Sequence, residues 1–146
     1  MKRTAIAYRR PDGMLLIRPV NAMTHGGEKD GSPIHKLEAD ASGERIGLAV
    51  REALEASHTV DGFPGQMDPS DADLFSLVGV KSWMEFNRRT RSVGVELDDG
   101  NVVTVQPFLK VRGGFQSTKE LWFSERLSTD ERLGDLIREG LDRATA

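Results

Sequence analysis

Apolar and polar positions alternate with a period of two near the start of the chain, switch to helical spacing, and repeat that sequence in the second half. Thr4-Ala5-Ile6-Ala7-Tyr8 and Met14-Leu15-Leu16-Ile17 flank Arg10-Pro11-Asp12-Gly13, which predicts a hairpin. Pro11 presets φ for the first turn position, and Gly13 can adopt the left-handed conformation that closes a three-residue turn. The second run is apolar on both faces, so it belongs inside a sheet, and Pro19 is expected to end it. From Val20 to Ser42 the period dissolves among Gly26-Gly27, Gly31 and Pro33, which predicts a long polar loop at about 20–42.

A helix is expected at about Glu44–Ser57, capped by Ser42, and another at about Asp130–Ala144, where Ser128-Thr129-Asp130-Glu131 reads as a capping box. The two are alike: E-R-I-G-L-A-V-R-E-A-L from Glu44 and E-R-L-G-D-L-I-R-E-G-L from Glu131. Gly47, Val50 and Leu54 share one stripe, as do Gly134, Ile137 and Leu141. Glycine costs a helix about 1 kcal/mol relative to alanine, so Gly47 and Gly134 imply close approach of another backbone. The likeness has two explanations, chance among amphipathic helices or a worn duplication of a strand–strand–helix unit.

Between these helices, His58–Pro69 reads as a loop carrying Val60, Phe63 and Met67. A short helix is expected at Asp71–Val78, stopped by Gly79. Ser82-Trp83-Met84-Glu85 predicts a second capping box, opening a two-turn helix with Trp83 and Phe86 on one face as core anchors. Ser92–Leu97 and Val102–Phe108 read as strands around Asp98-Asp99-Gly100. A three-residue turn with Gly100 left-handed would set Val95 opposite Val103 and Val93 opposite Val105. Leu121-Trp122-Phe123 is a last short strand. The predicted class is α+β: one domain, a mainly antiparallel sheet of about five strands with helices packed on it, in the order β-β-α-α-α-β-β-β-α.

At 146 residues the chain is the size of one domain, and its 38% hydrophobic and 29% charged content is ordinary for a globular protein. No apolar run reaches the ~20 residues that span a bilayer. The first residues lack a secretory h-region, so a cytoplasmic protein without membrane association is expected. There is no cysteine, which removes thiol chemistry and thiolate-bound zinc. His25, His35 and His58 lack metal-ligand spacing, and no strained Gly-x-Ser-x-Gly turn is present. No catalytic residue, metal or cofactor is therefore expected. Arg88-Arg89-Thr90-Arg91 lacks interleaved aromatics, and a net charge of −3 argues against direct nucleic-acid binding. Acids gather at Asp61, Asp68, Asp71 and Asp73 and at Glu96, Asp98 and Asp99. Capping and turn chemistry account for most; an acidic surface facing a basic protein is the functional alternative.

From Glu44 onward the order of R-I-G-L-A-V-R-E-A-L-E-A-S, V-K-S-W-x-x-F from Val80, a strand pair with Pro107, Gly113-Gly114-Phe115 and R-L-G-D-L-I-R-E-G-L resembles the immunity proteins of contact-dependent growth inhibition (CDI) systems. The family often has a basic residue after the tryptophan, where this chain has Met84. The resemblance implies a non-catalytic protein that binds and neutralises the cognate C-terminal toxin domain of a CDI effector, commonly a nuclease such as a tRNase. It also implies that Gly47, Trp83, Phe86, Gly113, Gly114, Phe115 and Gly134 are scaffold. Toxin contacts are then expected on Asp61, Phe63, Met67 and Asp68, with Asp98 and Asp99 at a hairpin tip. The competing class is a non-catalytic interaction or adaptor domain of similar α+β build.

Overall fold

Ala5 and Ala7 keep one side of the first strand flat, and two long helices lie against that side. The computed structural model describes residues 2–62, 69–112 and 114–145. Its elements are β1 (Arg3–Arg9), β2 (Leu15–Met23), β3 (Glu28–Asp30), β4 (His35–Leu37), α1 (Gly43–Ala56), β5 (Thr59–Val60), α2 (Pro69–Val78) and α3 (Trp83–Asn87). They continue with β6 (Arg91–Leu97), β7 (Val102–Val111), β8 (Gly114–Ser117), a 3-10 turn at Lys119–Leu121, β9 (Phe123–Arg126) and α4 (Asp130–Arg143). The sheet runs β3-β2-β1-β6-β7-β8, with β4 and β5 also on β2 and β9 also on β7. Every pairing is antiparallel except β2 with β5. The expected class, a single α+β domain, is the one observed.

The first face of the sheet packs on α1 and α4. Ala5, Ala7, Leu15, Ile17, Val93, Val95, Val103 and Val105 meet Ile46, Val50, Leu54, Leu133, Ile137 and Leu141 in one buried cluster. Each side chain of the Leu, Ile or Val kind so buried contributes about 1.5–3 kcal/mol. The two helices cross at their glycines, as expected: a methyl group at Gly47 would collide with the Asp130 carbonyl, and one at Gly134 with the Gly43 carbonyl. The second face carries a smaller cluster, Tyr8, Leu16, Leu74 and Phe86, under α2 and α3. Alternation assigns both layers: odd positions of β1, β2, β6 and β7 face the long helices, even ones face away.

Several expectations are corrected. Pro19 does not end the second strand; β2 continues to Met23, with Pro19 opposite Ala5. The side of β2 away from β1 is partnered by β4 at Leu15–Ile17 and by β3 at Val20–Ala22. Pro19 falls in the gap between them, where its carbonyl accepts from Gly31 N (2.8 Å) and no N–H is required. The long loop at 20–42 is therefore largely sheet edge, built of three-residue strands too short to show a period. In the second hairpin, Asn101 (φ 62°) takes the left-handed position in place of Gly100. The three-residue turn starts one residue later, and Val95 pairs with Val105 and Leu97 with Val103. A shift of two keeps the same residues on each face. Leu121-Trp122-Phe123 ends a 3-10 turn instead of forming a strand, and β9 begins at Phe123. The cap of α4 is Thr129, whose hydroxyl accepts from Arg132 N (3.1 Å), in place of Ser128. At α3 the Ser82 hydroxyl accepts from Glu85 N (3.2 Å), but the Glu85 carboxylate reaches Lys81 N (3.3 Å) and leaves the box half-made.

The likeness of the two helices extends to the strands. One constant shift carries Arg3–Arg9 onto Arg91–Leu97, Leu15 and Ile17 onto Val103 and Val105, and β4 onto β9. The same shift carries the turn pairs Arg10–Gly13 and Arg10–Met14 onto Asp98–Asn101 and Asp98–Val102, and left-handed Gly13 onto left-handed Asn101. A shift one residue shorter carries α1 onto α4, Ser42 onto Thr129 and Gly47 onto Gly134. Ala5 pairs with Val95 and Ala7 with Val93, so an approximate two-fold passes through the Ile6–Gly94 pair. Matching registers, turns and caps are what a duplicated unit leaves behind; chance between two helices would not reach the strands. Among the described elements, β5, α2, α3 and the 3-10 turn have no counterpart.

Candidate functional site

The unmatched insert makes the second face of the sheet asymmetric. Over the first half, α2 is fastened by Arg18, whose side chain is 0% exposed. Its Nε donates to Gly31 O (2.9 Å) and its Nη2 to Ser70 Oγ (2.5 Å). Among the described residues Nη1 makes no hydrogen bond, but it lies 3.5 Å from the Asp71 carboxylate, close enough to pair in charge. Beside it the Tyr8 hydroxyl donates to Asp30 Oδ2 (3.5 Å). Burial, followed by the Asp30 charge, pushes the Tyr8 phenol well above its ordinary pKa, so it stays protonated and acts as a donor.

Phe86 is fully buried, edge-on to Tyr8 at 5.0 Å, with the Arg10 guanidinium 5.2 Å above its ring. Trp83 is not the core anchor that helical spacing predicts. One side of it meets Phe75 and Phe86 edge-on, at 5.1 and 5.6 Å, and the residue remains 36% exposed. The five-residue α3 lies at the rim, so one residue of the pair goes under and the other stays at the edge. Met84 beside it is 78% exposed.

Where α3 stops, a cleft of about 200 Å³ opens between Trp83 and Asn87 on one side and Phe108 and Phe115 on the other, with Ile6, Tyr8, Ser92 and Asp30 completing its walls. Gln106 lies over Gly94 with Phe108 alongside. Glu28 stands near Asp30 and Glu96. Partial burial, followed by the Glu96 and Asp30 charges, raises its carboxyl above the usual range. Lys2 is 3.6 Å from Glu96.

Of the residues expected to touch a partner, Asp61, Asp98 and Asp99 are described, and none of these three lines the cleft. The Asp61 carboxylate is 91% exposed, accepts from Thr24 Oγ1 (2.8 Å) and lies 3.7 Å from His25 Nε2. Phe63, Met67 and Asp68 lie outside the described residues, as does Gly113. Asp98 serves its own hairpin, accepting from Val102 N (2.9 Å), with Asp99 exposed beside it. Phe115, expected as scaffold, lines the cleft, and Gly114 opens β8. Within the basic segment, Arg91 donates to the Leu141 and Asp142 carbonyls at the end of α4 (3.4 and 3.3 Å). Among the described residues no group of three His, Asp or Glu is placed to hold a metal ion, and no helix is long and apolar enough to cross a membrane.

Sequence reasoning missed Tyr8, Asp30 and Phe108. Tyr8 and Phe108 occupy even positions of their strands, opposite the alanine and valine faces, and that alternation could have assigned them to a second layer. Asp30 could not be placed, because three residues of β3 carry no readable register.

No protein-family model and no curated protein matches the sequence. Among solved structures the fold is shared with a protein of unknown function from Neisseria meningitidis (19% identity, TM-score 0.79, covering 99% of this chain and 96% of that one). It is also shared with a chain of the CdiA-CT/CdiI toxin and immunity complex from Yersinia pseudotuberculosis (13% identity, TM-score 0.76, covering 99% and 98%).

Proposed function

We propose that this chain is a CDI immunity protein, acting in the cytoplasm as a non-catalytic inhibitor that binds and neutralises the C-terminal toxin domain of its cognate effector. The observation that carries the reading is likeness over the whole chain to the fold found in a toxin and immunity complex. The ordered helix, V-K-S-W and Gly-Gly-Phe motifs point the same way. A nuclease toxin, such as a tRNase, suits the acidic balance of the chain, because an active site that attracts phosphates is basic. Silencing a toxin at low cellular concentration calls for nanomolar affinity, about −12 kcal/mol, which a few buried anchors and complementary charge supply better than area alone.

The test is to look for a CDI effector gene beside this one and co-express its C-terminal domain with this protein. Growth rescue, and co-purification of the two proteins, are the expected results. Toxin-arrested growth despite soluble immunity protein would refute the reading and leave an interaction domain of another kind.

A further inference from the structure

We infer that the uncovered half of the second sheet face is where a protein partner docks, inserting an arginine side chain into the cleft between Trp83 and Asp30. The partner's identity as a toxin domain rests on the function proposed above; the chemistry of the site does not. The approximate two-fold carries Tyr8, Leu16 and Arg18 of the covered half onto Glu96, Thr104 and Gln106. The first three are buried under the insert, and the second three are only half-buried among the described residues. Gln106 Nε2 is nonetheless buried without a hydrogen-bond acceptor among them. It lies beside Phe108, a wall of the cleft.

The cleft selects its occupant by charge and shape. Rings of Trp83, Tyr8, Phe108 and Phe115 form its sides and the Asp30 carboxylate closes one end. Glu28 and Glu96 add negative charge near Asp30, offset in part by Lys2 beside Glu96 and by Arg18, whose charge reaches Tyr8. The carboxylates are too widely spread to chelate a metal ion, which leaves an organic cation. The cleft, about 200 Å³ and open to solvent, has room for one long side chain. A guanidinium is planar, weakly hydrated, stacks on aromatic rings and pairs with carboxylates, so arginine fits this lining better than the compact, strongly hydrated ammonium of lysine.

The test measures toxin-domain binding kinetics for the wild type and for Glu28→Lys, Glu96→Lys and Phe115→Ala, with Glu55→Lys, exposed on α1, as the control. It is paired with an NMR titration of the wild type by N-acetyl-arginine amide and its uncharged citrulline counterpart. Glu28→Lys and Glu96→Lys should each weaken binding at least tenfold, mainly by slowing association, and Phe115→Ala should speed dissociation tenfold; Glu55→Lys should change little. The arginine amide should shift the Trp83 indole and Phe115 ring signals, and the citrulline amide should not. A toxin that binds all variants as it binds wild type overturns the docking site and leaves the immunity function standing. If the toxin does not bind wild type, the immunity function fails; the cleft is then judged by the titration, where unshifted Trp83 and Phe115 signals overturn it.

Discussion

Glu28 shows how a single carboxyl can be set against the fold that holds it. Its ionised form is disfavoured by partial burial and by the neighbouring charges of Glu96 and Asp30, so its folded pKa lies above the ordinary glutamate value. The sign is the reverse of a salt-bridged acid: ionisation costs stability above the folded pKa, and the cost fades as pH falls through it toward the unfolded value. Glu28→Gln should therefore melt at a higher temperature than wild type at pH 7, with the difference vanishing below about pH 4. Thermal melts across that range check it, and an equal or lower melting temperature at pH 7 would mean the three charges do not oppose one another. Two aromatic residues of one short helix make a second contrast. Phe86→Ala should cost about 3–5 kcal/mol in urea denaturation, while Trp83→Ala, with about a third of the residue already exposed, should cost less than half as much.

At the scale of elements, the crossing of α1 and α4 depends on two missing methyl groups. Even alanine at Gly47 or Gly134 should destabilise by about 1–3 kcal/mol, although alanine is the better helix former, because the obstacle is a helix carbonyl that cannot rotate aside. The double variant should cost less than the sum of the two, since the first substitution already parts the helices; denaturant melts of the three variants decide it. The α2 helix depends on one arginine. Arg18→Met keeps the volume but leaves Gly31 O, Ser70 and Asp71 without their donor, and should cost about 3–5 kcal/mol. Faster hydrogen exchange in α2 than in α1 would confirm that Arg18 fastens the insert. These two joints differed in legibility. Glycine on a buried helical stripe announces a close approach from sequence alone. Arg18 looks like any polar residue after an apolar run, and its role appears only once β3 and α2 are known to converge on it. The same reason hid Pro19: its tolerance depends on a gap between β3 and β4 that no local pattern encodes.

For the molecule as a whole, the central joint of the sheet lies between β1 and β6, residues far apart in sequence that meet about the approximate two-fold. A unit of this kind, standing alone, would have β1 as a bare edge and one side of α1 uncovered, and would close both by meeting a second copy of itself. A symmetric pair would offer two equivalent outer faces, and so two places for the same partner. Joining the copies into one chain let them diverge, and the insert between them occupies one of those faces. The consequence, if a partner docks as inferred above, is a change in valency: a complex limited to one partner per chain, with no second, weaker site. Calorimetric titration with the toxin domain should give a stoichiometry of one with a single binding step, and a second step would mean that the insert leaves its own half of the sheet open.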